Sequence, residues 1–170
     1  FACDSPNITG FPLNRVVVTE RACATESTGV TISLTGKPSP STNSDAVINT
    51  AQAIAQLIQI LPNLPEKREK FALVTVIHAE LGSLAFGTSA GRGSLSLTIR
   101  AFDQEDLDSL IEMITENTIR IAAAENLGCE FSFVESFAVS KNDPNAAEIA
   151  EGVIKDLGFN LSQKLEPFRW

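Results

Sequence analysis

The chain has one histidine, His78. A two-metal hydrolytic centre needs several His and carboxylate ligands, each within about 2.0–2.2 Å of its ion. A lone histidine in a strand-like run cannot supply that set, so no metal ligand and no catalytic residue is assigned within the chain. Cys3, Cys23 and Cys129 are widely spaced and odd in number, which fits neither a CxxC metal pair nor a disulfide framework. They read as small apolar fillers in a reducing compartment, which places the protein in the cytoplasm. A nucleophilic serine would need a sharp elbow beside the histidine, and there is no GxSxG. Gly87-Thr88-Ser89-Ala90-Gly91-Arg92-Gly93 resembles a phosphate loop only in its glycines. It lacks GxxxxGK[ST] and joins two strands rather than a strand and a helix. Arg100 is the remaining candidate. It ends an alternating strand on the polar side, where a guanidinium can grip a carboxylate through two parallel hydrogen bonds. A solvated arginine, or one paired with a glutamate on an adjacent strand, is the competing reading for it.

These residues are positioned by a regular pattern. Gly29-Val30-Thr31-Ile32-Ser33-Leu34-Thr35 alternates strictly, with Val30, Ile32 and Leu34 on the core side. Residues 46–61 carry Val47, Ala51, Ile54, Ile58 and Leu61, a helical stripe capped by Ser44 or Asp45 and stopped by Pro62. Ala72 to Leu81 is a strand. A glycine-rich hairpin over 82–93 leads to a second alternating strand, with Leu95, Leu97 and Ile99 inward. Asp103 caps a helix with Leu107, Leu110, Ile111, Ile114 and Ile121 on its buried side, and Gly128 stops it. Cys129, Phe131 and Phe133 mark a last strand. The order β-α-β-β-α-β predicts an α+β, ferredoxin-like layout: a four-stranded antiparallel sheet, both helices on one face, the other face hydroxyl-rich. Outside it, 15–19 reads as a short strand, 20–26 as a connection, 146–157 as an amphipathic helix and 160–165 as one more strand.

The bulk properties bound the function. At 170 residues roughly 70% of the unfolded surface can be buried, so a core needs no disulfides. The net charge of −8 opposes binding to nucleic acid or anionic membranes. No stretch is apolar for long enough to span a bilayer. The first residue is Phe1 and the last four are Pro167-Phe168-Arg169-Trp170, so the chain reads as a piece excised from a longer protein.

Several stretches together resemble a known family. They are Asn7-Ile8-Thr9-Gly10-Phe11-Pro12-Leu13, Leu34-Thr35-Gly36-Lys37, Ala51-Gln52-Ala53-Ile54-Ala55 and Val74 through Gly82. Ala85-Phe86-Gly87-Thr88-Ser89, Thr98-Ile99-Arg100, Asn142-Asp143-Pro144 and the C-terminal Pro-Phe-Arg-Trp continue the match. The chain thus resembles the lid, or dimerisation, domain of aminoacylase/carboxypeptidase-type metallopeptidases (metallopeptidase family twenty), in the branch that cleaves N-acyl amino acids. The resemblance implies a lid over residues 15–139, flanked by catalytic-domain stubs at 1–14 and 140–170. It implies zinc or another divalent metal in the parent enzyme and none in this chain. It also implies a homodimer through sheet-edge pairing and docking on the parent's own catalytic domain. Arg100 would contact the substrate carboxylate, and Gly87 stands where many members have asparagine. Pro6 stands where the family has a metal-binding histidine, and Pro40 where it has the lid histidine that reaches the partner's site. Proline offers no donor and no lone pair there, so the chain by itself is expected to be inactive. The alternative is a stand-alone ferredoxin-like domain that binds a small molecule or itself, without catalysis.

Overall fold

The structure, a computed structural model, describes residues 15–18, 22–40, 47–67 and 70–162. Pro6, Ser44 and Asp45 lie outside them. Two compact units divide at 27 and 137.

The larger unit spans Ser27–Phe137. The short elements β1 (Arg15–Val17) and β2 (Ala22–Ala24) precede it, and its first strand is β3 (Glu26–Thr35). Then come α1 (Ala51–Ile60), a 3-10 segment (Leu61–Lys67), β4 (Ala72–Leu81), β5 (Arg92–Ala101), α2 (Gln104–Ala124) and β6 (Gly128–Phe137). The sheet is antiparallel, four-stranded and ordered β4-β5-β3-β6. That is the ferredoxin-like α+β arrangement expected from the alternation.

Period-two patterning builds its core. Val30, Ile32 and Leu34 of β3 and Leu95, Leu97 and Ile99 of β5 are all at most 2% exposed. Both strands are central, so their inner faces are covered by helices, and each such side chain stabilises by about 1.5–3 kcal/mol. Helix α1 contributes Ala53, Ile54 and Leu57. This corrects the expected stripe. The helix starts at Ala51 rather than 46, because Ile48 is drawn into a bridge with Lys37, and Ile58 faces outward. The α-helix does stop before Pro62, as expected, ending at Ile60 with Leu61 as its C-cap. The chain tightens into the 3-10 segment, whose Leu61 is fully buried. Helix α2 buries Leu107, Leu110, Ile114 and Ile121 together with Thr118, whose hydroxyl donates to the Ile114 carbonyl at 2.7 Å. Its stop is Asn126 rather than Gly128. Asn126 adopts φ 56°, and the Leu127 and Asn126 amides return to the carbonyls of Ala122 and Ala123. These are the two bonds of a Schellman ending, for which Asn is the usual substitute for Gly.

The smaller unit draws its described residues from before 27 and after 137. Strand β1 pairs in parallel with β8 (Asn160–Ser162), and β2 pairs antiparallel with β7 (Ser140–Lys141). Between β7 and β8 runs α3 (Pro144–Asp156), with Pro144 at its first position and Asp143 capping it through the Ala146 amide at 3.0 Å. The stretch 20–26, read as a connection, therefore holds a strand, and the C-terminal segment acquires sheet partners from the N-terminal side.

Helix α2 begins at a charged knot. The Asp103 carboxylate accepts from the Asp106 amide at 3.1 Å and from Lys70 Nζ at 3.1 Å, and Lys70 also lies 3.4 Å from Asp106. The backbone hydrogen bond from Asp106, then the Lys70 contact, holds the Asp103 carboxyl below its ordinary value. A depressed folded-state value stabilises above the unfolded carboxylate's pKa of about 3.9, and that contribution is lost as pH falls through the folded value. Asp103→Ala is expected to cost about 1 kcal/mol at pH 7 in urea unfolding. The loss should shrink as the pH is taken down through the carboxylate range. A pH-independent difference would assign the effect elsewhere.

Candidate functional site

The face of the sheet turned away from the helices follows from strand register. On β4 and β5, Leu73 is opposite Arg100, Thr75 opposite Thr98, His78 opposite Ser96 and Glu80 opposite Ser94. On β3 and β6, Thr31 is opposite Ser132 and Ser33 opposite Glu130. Thr31 Oγ1 and Ser96 Oγ, 3.0 Å apart, tie the two central strands across this face. The result is a hydroxyl-covered surface with an arginine near each end of β5.

Arg100 is half-buried beside Leu73 and makes no hydrogen bond or ion pair among the described residues. The glutamate that could have neutralised it from β4, Glu80, sits at the far end of that strand. A guanidinium held on a polar face without a carboxylate partner is ready to take one from a ligand.

The other end of β5 is built by backbone. The Gly36 amide donates to the Gly91 carbonyl at 2.8 Å, and the Thr50 amide and hydroxyl donate to the Ala90 carbonyl at 3.0 and 3.2 Å. Thr50 thus anchors the start of α1 to the glycine-rich hairpin instead of capping its own helix. Ser39 and Ser89 exchange bonds, and Pro40 forms a bridge with Thr88. The structure therefore brings Pro40 next to Gly87. It does not bring Arg100 to them: Arg92 and Arg100 are eight residues apart on one strand, about 26 Å. Gly87 borders open space, with no atom within 4 Å of an added Cβ, and Phe86 beside it is 98% exposed.

Near that end the face hollows into a trough of about 400 Å³, lined among others by Ser33, Thr35, Glu80, Arg92 and Ser94. Arg92 and Thr35 were not singled out by motif reasoning. The signal for them was present in the alternation, which puts Thr35 and Arg92 on the same side as Thr31 and Arg100. His78 is exposed on the outer strand β4. Burial, then the Glu130 charge, raises the Cys129 thiol above its ordinary value, which disfavours the reactive thiolate. Among the described residues no group of three His, Cys, Asp or Glu side chains could hold a metal ion. Nor is any helix among them long and apolar enough to cross a membrane.

No family model matches the sequence. Two curated relatives are uncharacterised hydrolases. That of Staphylococcus saprophyticus is 28% identical over 96 residues, 56% of this chain and 25% of the relative. That of Staphylococcus epidermidis is 30% identical over 91 residues, 54% and 24% respectively. The chain thus spans about a quarter of the relatives' length. Among solved structures, a dinuclear metal-binding peptidase of the M20 family from Bacillus subtilis matches with a TM-score of 0.75 and 20% identity, over 96% of this chain and 40% of that one. A putative aminohydrolase from methicillin-resistant Staphylococcus aureus gives 0.77 and 13%, over 91% and 40%. A hydantoinase/carbamoylase family amidase from Burkholderia ambifaria gives 0.71 and 15%, over 89% and 38%. The fold is that of a part of M20-type peptidases and amidohydrolases, as the sequence resemblance implied.

The glycines separate packing from function. A Cβ on Gly91 would run into Pro38, and one on Gly36 into the Ile48 carbonyl. Gly91→Ala is expected to destabilise by about 1–3 kcal/mol. Gly87→Asn, at a site with open space, should stay within about 0.5 kcal/mol. Chemical unfolding of the two variants checks this, and equal losses would refute the assignment.

Proposed function

We propose that the chain is the lid of a metal-dependent amidohydrolase or peptidase, a module that covers a substrate cleft and self-associates rather than performing the cleavage. The observation that carries this reading is Arg100, unpaired among the described residues, on the polar face of a fold matched to M20-type hydrolases over nine-tenths of the chain. N-acyl amino acids and short peptides end in a carboxylate, and Arg100 offers the planar donor pair that grips one. The catalytic zinc, or another divalent metal, would be held by a separate catalytic domain. One of the matched structures is described as binding two metals, and the described residues of this chain offer no such cluster.

Pro40 and Gly87 set the limit of this lid's chemistry. They adjoin each other at the hairpin end, where the resemblance calls for histidine and asparagine. Neither side chain can donate a hydrogen bond, and one missing oxyanion donor typically costs about 10²–10³ in rate. The module's contribution is therefore to position the substrate, and self-association would use a free edge of the sheet, β4 or β6.

Two measurements test this reading. The chain incubated with zinc and N-acetyl amino acids should show no turnover and no stoichiometric tight zinc; amide cleavage with tightly held zinc would make it an enzyme instead. In an enzyme carrying this lid, Arg100→Gln should raise KM for carboxylate-bearing substrates by about 10- to 100-fold, the loss of a charged hydrogen bond of about 1.5–3 kcal/mol, with a smaller change in kcat. An unaltered KM would remove Arg100 from the substrate site.

A further inference from the structure

Strand β4 carries an irregularity near its middle. Val76 is opposite Leu97 and His78 opposite Ser96, which leaves Ile77 as the extra residue of a bulge. Before it, Leu73 and Thr75 share the polar face. After it, His78 and Glu80 do. In an unbroken strand Ile77 and Ala79 would take those places, and Glu80 would turn toward the helices. Bulges often re-aim a side chain beside a functional site. Here the side chain re-aimed is a carboxylate, and it comes to line the same trough as Arg92.

Register defines what surrounds that carboxylate. Thr31 is beside Ser96, and the Gly36 amide bonds to the Gly91 carbonyl. Counting along the antiparallel β3 and β5 then sets Ser33 beside Ser94 and Thr35 beside Arg92. One row across the sheet therefore runs Glu80, Ser94, Ser33, Glu130. The next runs Gly82, Arg92, Thr35, Gly128. Glycine at position 82 leaves the β4 side of Arg92 without a side chain. Glu80 and Arg92 are diagonal neighbours on adjacent strands, about 7–8 Å apart. Both are exposed, and neither side chain makes a hydrogen bond or an ion pair among the described residues. Ser33, Thr35 and Ser94 line the trough with them.

Opposite charges held apart over hydroxyls define the ligand. A plain anion would meet Arg92 but also the carboxylates of Glu80 and, at the far end of that row, Glu130. A plain cation would meet Glu80 but also Arg92. A zwitterion satisfies both. In an α-amino acid the ammonium nitrogen and the carboxylate carbon are about 2.5 Å apart. A charge-assisted hydrogen bond of about 2.8 Å at each end lets such a ligand bridge a diagonal pair. A trough of about 400 Å³ is the size of a small-molecule site and leaves room for the ligand's side chain. The geometry points to a binding site for a free α-amino acid in this trough. Arg92 grips the carboxylate, Glu80 takes the ammonium, and the hydroxyls of Ser33, Thr35 and Ser94 fill the remaining hydrogen bonds. The site lies wholly within one chain and goes beyond the lid reading, whose carboxylate contact is Arg100.

Titrating the full chain with L-alanine, L-leucine and L-lysine, and following the backbone amides by NMR, tests the site. At least one of the three should bind saturably in the millimolar range, with shifts concentrated at Ser33, Thr35, Glu80, Arg92 and Ser94. The N-acetyl form of that amino acid lacks the ammonium, and its amide form lacks the carboxylate. Each should bind at these positions about tenfold more weakly or worse, the loss of one charged hydrogen bond. Arg92→Gln and Glu80→Gln should each weaken the free amino acid by about the same factor, with an unchanged unfolding midpoint because both side chains are exposed. Absence of saturable shifts with all three amino acids overturns the proposal. So does an N-acetyl form that binds at these positions as well as the free amino acid. Shifts centred on Arg100 and insensitive to Arg92→Gln overturn it too. None of these results bears on the KM test of Arg100→Gln, so the lid reading and this site can fail separately.

Discussion

The alternation of β3 and β5 is the constraint on which everything else rests. They are the two central strands, so their inner residues must be apolar and their outer residues build the polar face of the sheet. Six aliphatic side chains at most 2% exposed hold the inner layer. The outer layer is threonine, serine and arginine, tied at its centre by the Thr31 and Ser96 hydroxyls. Shifting either strand by one residue would bury these hydroxyls and expose the leucines. The hydrophobic core and the position of Arg100 are therefore one fact: Ile99 cannot be buried in this register unless Arg100 points to the polar face.

That coupling explains what was legible in the sequence. Strands with one buried face announce themselves by period two, and α2 by its three- and four-residue spacings and by Asp103. Where local signals misled, a tertiary interaction had displaced them. Helix α1 starts late because Ile48 bonds to Lys37 across the preceding loop and Thr50 to the hairpin carbonyl of Ala90, 40 residues further along the chain. Asn126 rather than Gly128 ends α2 because the left-handed residue must come where the Schellman bonds close. Strands β2 and β7 are too short to carry a period, and they exist only because each finds the other.

Of the candidate site, Arg100 was legible and the trough was not. Arg100 terminates a strand whose alternation is unbroken, so its side follows by counting. The trough needs three strands in a known order, since Thr35, Arg92 and Glu80 come from β3, β5 and β4. Sequence order does not give spatial order: β5 lies between β3 and β4 although it follows both. The bulge at Ile77 is likewise invisible to pattern, because Val76-Ile77 reads as an ordinary apolar pair until the register with β5 is known.

The division of labour within the polar face follows from side-chain chemistry. A residue that binds a carboxylate must lack an internal partner, and Arg100 has none among the described residues. A residue that stabilises a developing oxyanion must donate from a fixed direction; proline at 40 has no N–H and glycine at 87 has no side-chain donor. Their own demands are structural instead: Pro40 pairs with Thr88 through the backbone, and the neighbouring Pro38 packs where a side chain on Gly91 would stand. The hairpin end thus offers no side-chain donor at these two positions while its backbone is tightly determined. In the lid reading this shifts the balance from rate to recognition. In that reading Arg100 and the hydroxyl strip would serve substrate selection, and neither Pro40 nor Gly87 would supply a side-chain donor to the reacting carbonyl.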